Sequence, residues 1–252
     1  MGYKKIIKYG DTIEIYTYEK EITPKQTKRH LSSIQKKRAR ERRLSKSYVR
    51  SDFSIKRSRT AFFRFVHHNN INAKSIHFLT LTIADDYEYR ECLRFLARFW
   101  EKIKNNYGSL ENTPVSYIGV PELTKKGRYH FHLLVYNLPT DTASRERETR
   151  NIQRFWGKGY INIDFASYTT KGLAGYMAKY MAKHLGATGN GNKRAYLCSR
   201  NVEKITDVGG NSVAHVETII RDEFLQDKLA DEVVEYKVPW LGTCTKIKYV
   251  LT

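Results

Sequence analysis

The chain has 252 residues, 40% of them hydrophobic, and carries a net charge of +19 with a pI near 9.7. That length is ample for a buried core, and the charge points to a polyanionic partner, nucleic acid ahead of an anionic membrane surface. Membrane-spanning, secretory, myristoylated and disulfide-rich classes are all disfavoured. No apolar run approaches the ~20 residues that cross a bilayer, the N-terminus lacks a signal-peptide core, position 6 is Ile6 where Ser or Thr is needed, and Cys92, Cys198 and Cys244 are far apart. A cytoplasmic location is expected.

In chain order, "IIKYGDTIEIYTYEKEI" alternates and predicts one or two short strands within 1–22. Residues 24–60 are dominated by Lys and Arg, and the sparse apolar positions Leu31, Ile34, Leu44 and Val49 suggest a thin helical stripe. This run, with Lys36, Lys37, Arg38, Arg40, Arg42 and Arg43 at its centre, reads either as a solvated basic helix or as a DNA-contact arm. The stretch "TAFFRFVHHN" ends a helix packed on the main domain. Residues 75–83 predict a strand and 89–108 an amphipathic helix, with Leu93, Leu96, Phe99, Trp100 and Ile103 on one face and a stop at Asn106 and Gly108. A strand at 115–123, a turn "TKKGR" and the strand "YHFHLLVYNL" make a hairpin. A helix at "ASRERETRNIQRFWG", a strand at "YINIDFAS" and a helix at "TTKGLAGYMAKYMAKHLG" follow, then a loop "GATGNGN" and strand-like "KRAYLCSRNV" and "EYKVPWLGTCTKIKYVL". The mixture predicts an α+β fold with a central antiparallel sheet flanked by helices. The expected division is a basic N-terminal extension over 1–60 and a main domain over 61–252.

Two groups of residues carry chemistry. His130 and His132 share a strand face with Leu134, while Phe131, Leu133 and Val135 take the core face. A turn centred on residue 126 pairs Glu122 with His130, and one centred on 127 pairs it with His132; either register puts the carboxylate on the histidine face. Two imidazoles and a carboxylate with open positions form the donor pattern of a catalytic divalent metal, Mg²⁺ or Mn²⁺ among others. On the helix "GYMAKYMAKHLG", Tyr176, Lys179, Tyr180 and Lys183 share one sector, beside an apolar stripe of Ala174, Met177, Ala178, Met181 and Leu185. Each tyrosine begins a Tyr-x-x-Lys unit, in which an ammonium one turn away would stabilise a phenolate or meet a phosphate.

With its "FLTLT" strand, His130-Phe131-His132 and the doubled "YMAKYMAK", the chain resembles the HUH endonucleases, the rolling-circle replication initiators, over roughly residues 25–205. The two tyrosines place it nearest the two-tyrosine type; "FWGKGYINI" and "KRAYLCSRN" add a likeness to phage gene A and gene II replication proteins. The resemblance implies a palm-like HUH domain in which Tyr176 and Tyr180 are nucleophiles and Lys179 and Lys183 assist. It implies that His130, His132 and Glu122 hold the metal, with Glu111 or Asp164 as other sources of the third ligand. The expected reaction is sequence-specific cleavage of single-stranded DNA at a replication origin, leaving a 5′-phosphotyrosine and a 3′-hydroxyl primer. No G-x-x-x-x-G-K-[ST] occurs, so a host helicase is expected beside a host polymerase, with no membrane partner and a monomer or weak dimer as the assembly. A relaxase or single-strand transposase of the same superfamily, or a non-catalytic DNA-binding protein, would share parts of this pattern.

Overall fold

The structure is a computed structural model that describes residues 3–21, 34, 37–38, 41, 50–138, 145–164, 170–187, 194–209, 218, 220, 225, 228–238 and 241–251. Strands β1 (Lys4–Tyr9) and β2 (Thr12–Tyr18) form a hairpin in which Tyr9 pairs with Thr12. Gly10 takes the positive φ that this two-residue turn demands. Helix α1 (Asp52–Asn72) is capped by Ser51, whose hydroxyl accepts from the Ser54 amide at 3.3 Å. Strand β3 (Ile76–Thr82) leads to α2 (Tyr89–Tyr107), which starts at a Glu88–Glu91 box and stops at Gly108, with φ +63 and an amide that donates a hydrogen bond to the Lys104 carbonyl. Short β4 (Ser109–Leu110) and β5 (Thr113–Pro114) precede the long hairpin β6 (Ser116–Leu123) and β7 (Tyr129–Tyr136). Then come α3 (Arg145–Trp156), β8 (Ile161–Asp164), α4 (Thr170–Gly186), β9 (Leu197–Cys198), β10 (Thr206–Gly209), β11 (Glu232–Val238) and β12 (Gly242–Val250).

The chain forms two compact units, Met1–Arg40 with Lys204–Thr252, and Glu41–Glu203. In the second, five strands lie in the order β8-β3-β7-β6-β9, and all their pairings are antiparallel. Period-two alternation splits its residues between two cores. Leu79, Leu81, Phe131, Leu133 and Val135 pack under α2 and α3 against Leu96, Phe99, Trp100, Ile152 and Trp156. Phe78, Ile118, Val120 and Leu134 pack on the other face against Phe62 and Val66 of α1 and the Leu173, Ala174, Met177, Ala178, Met181 stripe of α4. The apolar stripe read on α4 therefore faces the sheet, and the face that carries the histidines is not an open surface. At each fully buried aliphatic side chain the burial contributes about 1.5–3 kcal/mol, enough to fix α4 where it lies.

The first unit is a separate antiparallel sheet, β10-β1-β2-β12-β11, around Ile6, Ile13, Ile15, Ile220 and Leu225. This departs from the division at residue 60. The N-terminal strands are not an extension on their own but share a sheet with the C-terminal strands, and α1 belongs with the histidine sheet. The pairing of Ile15 with Ile247 joins opposite ends of the chain, a contact that no local pattern announces. The "KRAYLCSRNV" stretch supplies only the two-residue β9. Of the basic run, Lys37 and Arg38 are helical and exposed; Lys36, Arg40, Arg42 and Arg43, and the greater part of the "GATGNGN" loop, lie outside the described residues.

Candidate active site

The turn after β6 decides the register. Thr124 and Arg128 close it with a backbone bond of 2.9 Å, and Gly127 at φ +83 lets the chain reverse. Glu122 consequently pairs with His130, the first of the two registers open to the sequence, while His132 stands between Val120 on β6 and Thr80 on β3. The Glu122 side chain nevertheless leans diagonally. Its Oε2 lies 2.7 Å from His132 Nε2, and its Oε1 accepts a hydrogen bond from the Lys183 ammonium on α4. On its far side, His132 Nδ1 lies 3.2 Å from Thr80 Oγ1. If Glu122 accepts from Nε2–H, Nδ1 accepts from the Thr80 hydroxyl, so a hydroxyl that can donate or accept serves either tautomer.

Burial holds both imidazoles below the usual histidine range. Burial also raises the Glu122 carboxyl, but the hydrogen bonds from Lys183 and His132 outweigh it and hold that group below its ordinary value. At neutral pH the sheet thus offers neutral imidazole lone pairs beside an ionised carboxylate, the protonation states a divalent ion requires. The donors fit such an ion in kind and in placement on one face. Among the described residues no three such side chains turn to a common point, because Glu122 is engaged by His132 and Lys183.

The two tyrosines meet this row from above. The Tyr180 ring lies over the His132 imidazole with centroids 4.0 Å apart, and its hydroxyl is 2.9 Å from that of Tyr176. Tyr176 sets its edge against Phe78 at 5.4 Å, and Phe78 in turn stacks beside His132. Burial, then the hydrogen bond that the Tyr180 hydroxyl donates to Tyr176 and the negative Glu122, push the Tyr180 phenol above its usual range. Of the two lysines, Lys183 enters the site, while Lys179 is exposed and makes no hydrogen bond or ion pair among the described residues. His130 opens instead onto a cleft of about 390 Å³ lined also by Thr82, Lys125, Lys126 and Arg128. Glu111 sits in the β4–β5 turn, 3.7 Å from Lys74 before β3, and Asp164 pairs with Phe78, across β3 from the histidine strand. Neither joins His132. Thr80 and Phe78 were not singled out from the sequence. Alternation puts them on one face of "FLTLT", but nothing local says that β3 is the neighbour of β7.

Comparison with known proteins covers the same segment. Residues 76–185 match the family described as Replication-associated protein ORF2/G2P. The match runs from the first residue of β3 to the last turn of α4, so it takes in Thr80, Glu122, both histidines, both tyrosines and Lys183. The chain is 26% identical over 132 residues to "Replication-associated protein ORF2" of Spiroplasma virus 4, covering 46% of this chain and 40% of the relative. It therefore spans about two fifths of the length of that curated relative. In solved structures, 46% of the chain overlaps 90% of the hypothetical protein ORF119 from Sulfolobus islandicus rod-shaped virus 1, at 21% identity and a TM-score of 0.33.

Proposed function

We propose that the protein initiates rolling-circle replication by cutting and rejoining single-stranded DNA at an origin through a tyrosine, the HUH chemistry its motifs resemble. The observation that carries this reading is the stacking of Tyr180 on His132 while Lys183 reaches Glu122: phenol, imidazole, carboxylate and ammonium from two distant parts of the chain share one cleft. The matched replication-associated family supports the biological setting. In the reaction, a tyrosine oxygen forms a bond to phosphorus as the bond to the 3′-oxygen breaks. In net terms the phenol proton ends on that departing oxygen, giving the 3′-hydroxyl. Tyr180, whose ring lies over His132, and Tyr176 serve in turn as nucleophiles, either one able to make the first cut. Lys183 supplies the positive charge that a phenolate or a phosphate oxygen needs. When bound at His130, His132 and Glu122, Mg²⁺ or Mn²⁺ would polarise the scissile phosphate. Lys125, Lys126 and Arg128 offer a path for the DNA backbone past His130.

The test is to incubate the full chain with Mn²⁺ or Mg²⁺ and labelled single-stranded DNA tiled across the replicon that encodes it. A protein–DNA adduct stable to denaturing gel electrophoresis is expected. EDTA, His130→Ala or His132→Ala should each abolish it while the circular dichroism spectrum stays unchanged. Undiminished cleavage in EDTA sinks the metal reading, and an adduct-free wild type sinks the enzyme reading altogether.

A further inference from the structure

The sheet that joins the two ends of the chain has two edges, β10 with four residues and β11 with seven. Among the described residues no strand pairs with the outer side of β11, so its backbone N–H and C=O groups there are a template for another strand. We propose that this edge pairs with β11 of a second copy of the chain, antiparallel and around a two-fold axis at Tyr236, joining two five-stranded sheets into one. The inference concerns the other unit of the chain and is independent of the nicking reading above.

The edge is unfinished on both faces. Rows of paired side chains cross the sheet and stop at β11. On one face Val208, Ile6, Ile15, Ile247 and Val233 pair in turn; the first four belong to the apolar core, whereas Val233 is 59% exposed. On the other face Tyr18, Cys244 and Tyr236 pair in turn. The Tyr236 hydroxyl is engaged within the sheet by Cys244 and Tyr18, yet the residue is 41% exposed, as is Val234 on the same face at 38%. Every residue from Glu232 to Lys237 is exposed. A strand laid along this edge would continue both rows and take apolar surface out of water.

Symmetry and charge name the occupant. A two-fold axis normal to a sheet leaves each face on its own side, so β11 meets itself only in registers that pair residues of one face with each other. An axis at Glu235 or Lys237 sets like charges together, and one at Val233 brings the partner's Asp231 to Glu235. An axis at Val234 sets Glu235 against the partner's Val233 and Glu232 against the partner's Tyr236. At Tyr236 every pair fits: Tyr236 with the partner's Tyr236, then on each side Glu235 with the partner's Lys237 and Val234 with the partner's Val238. Aromatic, ionic and aliphatic pairs of this kind stabilise a ladder. Glu235 also accepts from the Thr245 hydroxyl at 3.2 Å, but that neutral donor leaves its charge to be met by the ammonium. In a chain of net charge +19 most of the surface repels a second copy, whereas β11 carries two acids and one lysine. Seven-residue strands bury less than the ~1,200 Å² of a standard interface, so the dimer is weak and forms as concentration rises.

The experiment is sedimentation equilibrium of the full chain, stripped of nucleic acid, over a range of protein and salt concentrations. Wild type should dimerise, and less so as salt rises. Glu235→Lys and Lys237→Glu each turn two attractive pairs into two repulsive ones and should weaken dimerisation roughly tenfold or more. Mixing these two variants should restore association between them, and a chain carrying both exchanges should dimerise by itself as wild type does. Both positions are exposed, and circular dichroism checks that each variant folds. A wild type that is monomeric throughout overturns the proposal, and so does a dimer indifferent to the single exchanges. A doubly exchanged chain that stays monomeric overturns the register and the pairing with it. No DNA enters the measurement, so none of these results bears on the nicking chemistry.

Discussion

Glu122 has two partners that want different things from it. His132 positions the carboxylate on the sheet, while Lys183 neutralises it from α4, 61 residues further along the chain. The tyrosines just above differ in placement: Tyr180 lies over His132, and Tyr176 is the more open, 44% exposed. A Tyr→Phe change removes only the hydroxyl and keeps the rings against His132 and Phe78, so packing loss is small. Tyr176→Phe and Tyr180→Phe should each retain a single cleavage of an oligonucleotide yet release no closed circle. The double variant should form no adduct, and mass spectrometry of the wild-type adduct should find nucleotide on both residues in different molecules. Attachment at one tyrosine alone, with the other variant fully competent through circle closure, would assign the second a structural role. On β3, His77 makes a separate, purely thermodynamic prediction. Burial, aided by the positive Arg145, lowers its pKa from 6.5 to about 4. The unfolded imidazole therefore binds a proton in a range where the folded one does not, and stability falls as pH drops from 6.5 through about 4. The loss amounts to about 3 kcal/mol once both pKa values are passed. Urea melts at pH 7.5 and 4.5 should differ by an amount that shrinks in His77→Phe; an equal difference in both proteins contradicts the assignment.

At the scale of elements, the α3–β8 connection fastens the end of β3. Trp156 Nε1 donates to the Thr82 carbonyl at 2.6 Å, the Thr82 hydroxyl donates to the Tyr160 carbonyl and accepts its amide, both at 2.8 Å, and Gln153 ties down Gly159 and Ile161. Gly159 passes so close that a Cβ would stand 2.5 Å from the Thr82 carbonyl oxygen and 3.0 Å from the Ala84 amide, backbone atoms with nowhere to go. Gly159→Ala should destabilise by about 1–3 kcal/mol, the scale of overpacking, whereas Gly175→Ala, with open space around it, should change little. Denaturant midpoints of the two variants, measured side by side, check this. The elements themselves were legible: the strands around "FLTLT" and "YHFHLLVY" and the helices at 89–108 and 170–186 have strong periodicity and clear stops. The local hairpin was legible too, down to a choice of two registers. What the sequence hid was every pairing between distant strands. Thr80 beside His132, Asn162 beside Thr80, and the union of β2 with β12 depend on which strands meet, and alternation is silent on that.

For the whole molecule, charge dominates. Residues 25–60 hold fourteen Lys or Arg against Glu41 and Asp52. Lys37 and Arg38 are exposed among the described residues, and none of the described helices is long and apolar enough to cross a membrane. If the run binds a single strand, replacing Lys36, Lys37, Arg38, Arg40, Arg42 and Arg43 by Gln should weaken binding. It should also flatten the log–log salt dependence by about 0.7 for each phosphate that the protein no longer neutralises. Anisotropy titrations over a range of salt concentrations measure the slope directly. An unchanged slope assigns the run to solvent or to a protein partner, and DNA binding then falls to the clefts around His130 and Tyr176.

The antiparallel ladder also sets a timetable. His132 meets Thr80 across 52 residues, and Lys183 meets Glu122 across 61. At translation speeds of about 5–20 residues per second, roughly 3–10 s separate the synthesis of the histidine strand from that of the helix carrying the phenols and the ammonium. Contacts of such long range also form late in folding. A nascent or truncated chain ending before α4 would own the imidazoles and the carboxylate without the phenols and the ammonium that α4 brings to them. The cleft that joins imidazole, carboxylate, phenols and ammonium is therefore assembled only when the segment from Thr80 to Lys183 is complete.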